Sequence, residues 1–154
     1  MPVTSVRSDH DAVACRARGH SRAQYLVTAD ESALPELEML LATLPLCATG
    51  RVFIEVPDSS WITPVSAPAR MTVTWLDRST RRGIGGPCRT GAALTRAAIA
   101  YADEVICEHT SVCGTNVTLL GGFVSTADIA EHLIDNRGVH RSDITVREAL
   151  NAYV

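Results

Sequence analysis

The feature that most constrains this 154-residue chain is an abrupt change of hydrophobic period between residues 24 and 44. Gln24-Tyr25-Leu26-Val27-Thr28 is a short run suited to a buried strand. Ala29-Asp30-Glu31-Ser32-Ala33-Leu34-Pro35 follows as a compact strand-to-helix turn. Asp30 or Ser32 can cap the helix, and Pro35 falls in its first turn, where a missing N–H does no harm. Leu34, Leu37, Leu40, Leu41 and Leu44 then recur at helical spacing and give one apolar face, which Pro45 ends.

The alternation continues along the chain. Arg51–Val56 reads as a second strand, stopped by Pro57, and the proline-bearing stretch from 57 to 70 as a loop. Met71–Leu76 is a third strand. Asp77–Gly91 is a basic, glycine-containing loop with Arg78, Arg81, Arg82 and Arg89, and Ala92–Tyr101 is an alanine-rich helix. Glu104–Cys107 reads as a fourth strand, whereas Thr115–Leu120 fits strand or helix and is broken by Gly121-Gly122. Ser125 is expected to cap a helix over 126–136 with Gly138 as its stop. Asp143–Val146 is a last strand, followed by a short helix over 147–152. Strands separated by helices pair in parallel through crossovers. The expected fold class is therefore α/β: a Rossmann-like three-layer domain over residues 24–154, with a central parallel sheet of about five strands. Residues 1–23 read as a polar tail.

Composition narrows the function. A formal charge of −3 exerts no pull toward nucleic acid or anionic membrane, and 5% aromatic content is too little for base-stacking platforms. No apolar run approaches the roughly 20 residues of a membrane span. Met1–His10 lacks a signal pattern, so a cytoplasmic protein is expected. The five cysteines are odd in number and form no CxxC pair, so neither a disulfide framework nor a metal site is expected. Cys107, His109 and Cys113 lack the second paired motif that structural zinc usually draws on. Ser111 beside His109 has no positioned acid, which argues against a hydrolase triad.

Four ordered blocks carry a family resemblance. Tyr25 to Pro35 resembles the GDE-S/T-ALP signature of siderophore-interacting proteins. Ile54-Glu55-Val56 is similar to the family's IEV strand, and Val73-Thr74-Trp75-Leu76-Asp77-Arg78 to its V-x-W-L-x-R strand end. His132-Leu133 through Arg137-Gly138-Val139-His140-Arg141 resembles its helix followed by RG-hydrophobic-x-R, and Arg16-Ala17-Arg18-Gly19 its interdomain linker. The family resembles ferredoxin-reductase-type flavoenzymes. A barrel domain holds FAD, a C-terminal α/β domain holds NAD(P)H, and electrons pass through flavin to the iron of a ferric siderophore. The resemblance covers the C-terminal half, so it implies NADPH as cofactor, FAD not bound by this chain alone, and a separate flavoprotein or FAD domain as partner. Ferric siderophore would be engaged only indirectly.

The residues that would hold the nucleotide follow. Thr28, Ala29, Ser32 and Ala33 would line the first turn, with Asp30 and Glu31 between them, and a helix N-terminus there would meet the pyrophosphate. Arg78, helped by Arg81 or Arg82, would take the adenosine 2′-phosphate and favour NADPH. Cys107 and Glu108 stand where the family's AGE motif lines the nicotinamide pocket, and Ala29 replaces its first-turn glycine. A second reading stays open: a degenerate Rossmann-like domain without nucleotide binding, acting as an interaction or regulatory partner. In that reading Asp30 and Glu31 are helix caps, the arginines a solvated loop, and the segment 110–122 the contact of a homodimer. Whether the chain alone is an enzyme is left open by both readings.

Overall fold

The computed structural model describes residues 13–17, 20, 23–106, 114–152 and 154. Five parallel strands form the central sheet: β1 (Gln24–Asp30), β2 (Thr49–Val56), β3 (Arg70–Asp77), β6 (Thr115–Leu120) and β7 (Ile144–Val146). Their spatial order is β3-β2-β1-β6-β7. A two-stranded ribbon, β4 (Arg82–Gly83) with β5 (Gly86–Pro87), projects from the loop after β3. The helices are α1 (Leu34–Thr43), α2 (Ala92–Val105) and α3 (Phe123–Arg137). This is the α/β architecture that the alternating periods imply.

Two cores lie on opposite faces of the sheet. Val27, Ala29, Val52, Ile54 and Val56 pack on one side with Leu37 and Leu41 of α1. Leu26, Phe53, Val117 and Leu119 pack on the other with Leu94, Ala98 and Ala102 of α2 and Ile129 and Leu133 of α3. Strands buried on both faces need near-continuous apolar runs, and β1 has one, buried from Leu26 to Asp30. β2 and β3 are joined without an α-helix: the proline-rich connection crosses the α1 face, where Val65 and Ala67 pack on the core. Gly50, at the start of β2, has φ 125°, and a Cβ there would overlap the Tyr25 carbonyl oxygen. Only glycine fits so close a strand entry.

Several expected elements move. Glu104 and Val105 do not begin a strand; they end α2, because Ala98, Ala102 and Ile106 continue its buried face at four-residue spacing. Cys107 lies outside the described residues. The fourth strand of the sheet is instead Thr115–Leu120, which resolves that ambiguous segment as β6 and places it between β1 and β7. An interior strand has both edges paired, so residues 115–120 present no free sheet edge. α3 begins at Phe123 with Gly122 as N-cap, three residues before the expected Ser125 cap; Ser125 is buried in its first turn and donates to the Gly122 carbonyl. The terminal helix reduces to one 3-10 turn, Glu148–Leu150. No helix among the described residues is long and apolar enough to cross a membrane.

Candidate functional site

In an open parallel sheet, ligands settle beyond the carboxyl ends of the strands, where the strand order reverses. Here β1 pairs with β2 on one side and β6 on the other, so the reversal lies between β1 and β6. A cleft of about 820 Å³ opens at that end of the sheet, lined by Glu36, Gly121, Gly122, Phe123, Arg147 and residues 148–150. Its volume is in the range of small-molecule and cofactor sites.

Two helix N-termini meet this crevice. At the first, Asp30 folds its own carboxylate over the turn: Oδ1 accepts from the Ser32 N–H at 3.0 Å and the Ser32 hydroxyl at 2.6 Å. That amide is therefore satisfied by the protein. At the second, Gly122 is the N-cap of α3 and has no side chain of its own to cap with, but the Asp30 carboxylate stands beside it, its Oδ2 3.5 Å from where a Gly122 Cβ would lie. The α3 terminus lines the cleft through Gly122 and Phe123. Gly121 lets it sit close: a Cβ there would come 2.9 Å from Leu94 Cδ2 and 3.0 Å from Ser125 Oγ. Arg147, just past β7, spans the cleft rim, donating to Ser32 Oγ at 3.2 Å and to Glu36 Oε1 at 2.8 Å.

The residues named from sequence are dispersed. Thr28, Ala29 and Ala33 are fully buried and offer no side-chain surface to a ligand. Thr28 Oγ1 is a buried hydroxyl without a hydrogen-bond partner among the described residues. Asp30 and Ser32 border the crevice but bond each other. Arg78 is drawn inward: Nη2 meets Glu31 Oε1 at 2.9 Å and Nη1 meets Glu55 Oε1 at 3.1 Å. Glu55 is fully buried and also accepts the Gly91 N–H at 2.7 Å and the Leu94 N–H at 2.9 Å, so a β2 carboxylate caps α2 from outside the helix. The guanidinium is needed to balance that buried charge. Its own ionisation is raised by the Glu31 hydrogen bond, against burial and with help from Glu55. Glu31 is partly desolvated, yet the Arg78 hydrogen bond, a backbone bond and the Arg78 charge together pull its carboxyl below the ordinary range. Arg81 and Arg82 remain exposed on the ribbon loop. Cys107 and Glu108, like His109 and Cys113, lie outside the described residues.

Sequence reasoning missed Glu55 and Arg147 as site-shaping residues. Glu55 carried a legible signal: an acid within Val52-Phe53-Ile54-Glu55-Val56, buried on both faces, must find a cationic or amide partner. Arg147 had none, because it reaches Ser32 and Glu36 across more than 110 residues of chain.

Known proteins share this fold. The siderophore-interacting protein family model matches residues 22–148. This chain belongs to that family. Among solved structures, the siderophore-interacting protein SipS from Aeromonas hydrophila is 16% identical with a TM-score of 0.60, covering 80% of this chain and 49% of that one. A siderophore utilization protein from T. fusca is 24% identical with a TM-score of 0.57, covering 82% of this chain and 44% of that one. The siderophore-interacting protein from Acinetobacter baumannii is 14% identical with a TM-score of 0.56, covering 88% and 50%. At these identities the likeness is one of fold, and the chain spans about half the length of each of them. No curated protein gives a significant match.

Proposed function

We propose that this domain binds a nicotinamide dinucleotide and supplies the reducing half of a siderophore-linked ferric reductase, with flavin held by a separate partner. The observation that carries the proposal is the cleft at the strand-order reversal, bordered by the α3 N-terminus and an arginine. The α3 terminus and Arg147 would receive the pyrophosphate. Phe123, which lines the same cleft, would lie against one of the dinucleotide's rings. Arg78 is committed to Glu31 and Glu55, so discrimination for a 2′-phosphate falls to Arg81 and Arg82 beyond β3. From β7 to β3 is four strand spacings, about 19 Å, a reach suited to an extended dinucleotide. When bound, the nucleotide would supply hydride; the chain's own part is to hold it and exclude water from its reactive face.

One feature favours a second reading, a domain that keeps the fold and serves as a regulatory partner. The first helix terminus is filled by Asp30 and flanked by Glu31 and Glu36, which repel phosphate. Calorimetry separates the two. NADPH is expected to bind with a Kd between about 1 µM and 1 mM, and Arg147→Ala to weaken it about tenfold, or about 1.4 kcal/mol. Absence of heat with both NADPH and NADH at millimolar concentration refutes nucleotide binding and leaves the second reading.

A further inference from the structure

At the amino-terminal end of the sheet, opposite the cleft, the fold gathers two thiols and an imidazole. Cys15 follows the start of a single 3-10 turn, Ala14–Arg16, and His20 lies on the segment leading into β1. Cys47 sits in the loop between α1 and β2. The parallel register makes this meeting natural. Gln24 opposes Thr49, so the entrances to β1 and β2 are side by side, and the Thr49 N–H donates to the Ala23 carbonyl at 2.9 Å. The Cys15 and Cys47 sulfurs and one His20 ring nitrogen all lie within 4.8 Å of one another. Cys47 is buried, Cys15 and His20 are half-buried, and both cysteines remain thiols.

We infer that Cys15, His20 and Cys47 form a binding site for a soft divalent cation, Zn²⁺, with one coordination position left for water or a fourth donor. Two sulfurs and one imidazole nitrogen are the donor set zinc prefers, and tetrahedral zinc places such donors about 3.5–3.8 Å apart. The observed cluster is within about 1 Å of that spacing, a difference that rotation of partly exposed side chains covers. Binding proceeds with loss of a proton from each thiol, so affinity rises with pH. The ion would tie Cys15 and His20 to the α1–β2 loop. The site is separate from the cleft: β1, seven residues long, lies between them, about 20 Å of extended chain. The sequence hides the set because four residues separate Cys15 from His20 and 26 more separate His20 from Cys47, a spacing unlike any paired zinc motif.

The test uses the full chain, refolded or expressed with Zn²⁺ and dialysed under reducing conditions. Elemental analysis is expected to find about one zinc per chain, and Co²⁺ replacement to give thiolate charge-transfer absorption with tetrahedral d–d bands. Cys47→Ser and His20→Ala should each weaken Zn²⁺ binding at least about 100-fold. Cys107→Ser/Cys113→Ser and Cys88→Ser should leave it unchanged. Thermal melts of each variant identify a loss that follows from unfolding, and the half-exposed His20→Ala variant is expected to stay folded. The inference is overturned by any of three results: no zinc above background, zinc retained by folded His20→Ala, or zinc lost only in the Cys107/Cys113 variant. A Cys15–Cys47 disulfide in the reduced, zinc-supplied protein also overturns it.

Discussion

Replacing Arg78 by alanine separates a structural clamp from a phosphate ligand. In the fold, Arg78 holds the fully buried Glu55 and the partly exposed Glu31. A hydrogen bond to a buried charge contributes about 1.5–3 kcal/mol, and Glu55 would keep its two backbone donors after the change. The more exposed Glu31 contact adds about 0–1 kcal/mol. Together the loss is about 2–3 kcal/mol, and at about 2–4 °C per kcal/mol for a chain of this size Tm should fall by roughly 5–10 °C. Differential scanning calorimetry, with nucleotide titrations on the same samples, is the assay. The pH dependence has a definite sign. Glu31's folded pKa is lowered, so its share of stability is present above the ordinary glutamate range and is lost as pH falls through the folded value. The Arg78→Ala deficit should therefore shrink in acid. A variant that melts within about 2 °C of the parent at neutral pH, yet loses its preference for NADPH, refutes this reasoning and makes Arg78 the phosphate ligand.

Other consequences are sharp enough to check. Gly50→Ala combines a positive φ with overlap at the Tyr25 carbonyl and should cost at least about 2–3 kcal/mol by urea denaturation. Leu133→Ala, which empties a fully buried α3 position, should cost about 2–5 kcal/mol. Asp103 on α2 joins His132 and Arg137 on α3, each at 2.7 Å, and its carboxyl is pulled down first by the His132 hydrogen bond; because this pair is exposed, Asp103→Asn should cost under about 1 kcal/mol. Arg81→Ala/Arg82→Ala should leave Tm unchanged while reducing any preference for NADPH over NADH in calorimetric titration.

The legible parts of the fold were those set by local chemistry. β1, the Asp30 cap, Pro35 in the first turn of α1 and the Gly138 stop all follow from residues within a few positions of each other. Errors arose where tertiary packing decided between local options. Val105-Ile106 could have been strand, but burial of Ala98 and Ala102 against the sheet carried α2 through Val105. Thr115–Leu120 acquired strand character from its neighbours β1 and β7. The candidate site was the least legible. A list of cations after β3 pointed to Arg78, but only the fold shows that buried Glu55 draws it inward. The cleft's own arginine, Arg147, comes from the far end of the chain.

In the proposed function, the crevice between β1 and β6 would receive a dinucleotide through the α3 terminus and Arg147. A ¹⁵N-labelled NMR titration with NADPH reads it residue by residue. The largest amide shifts are expected at Gly121, Gly122, Phe123 and Val124 and at Arg147, with Ser32 affected through its bond to Arg147. A spectrum that does not change at millimolar NADPH, or shifts confined to the ribbon at residues 82–87, would contradict it.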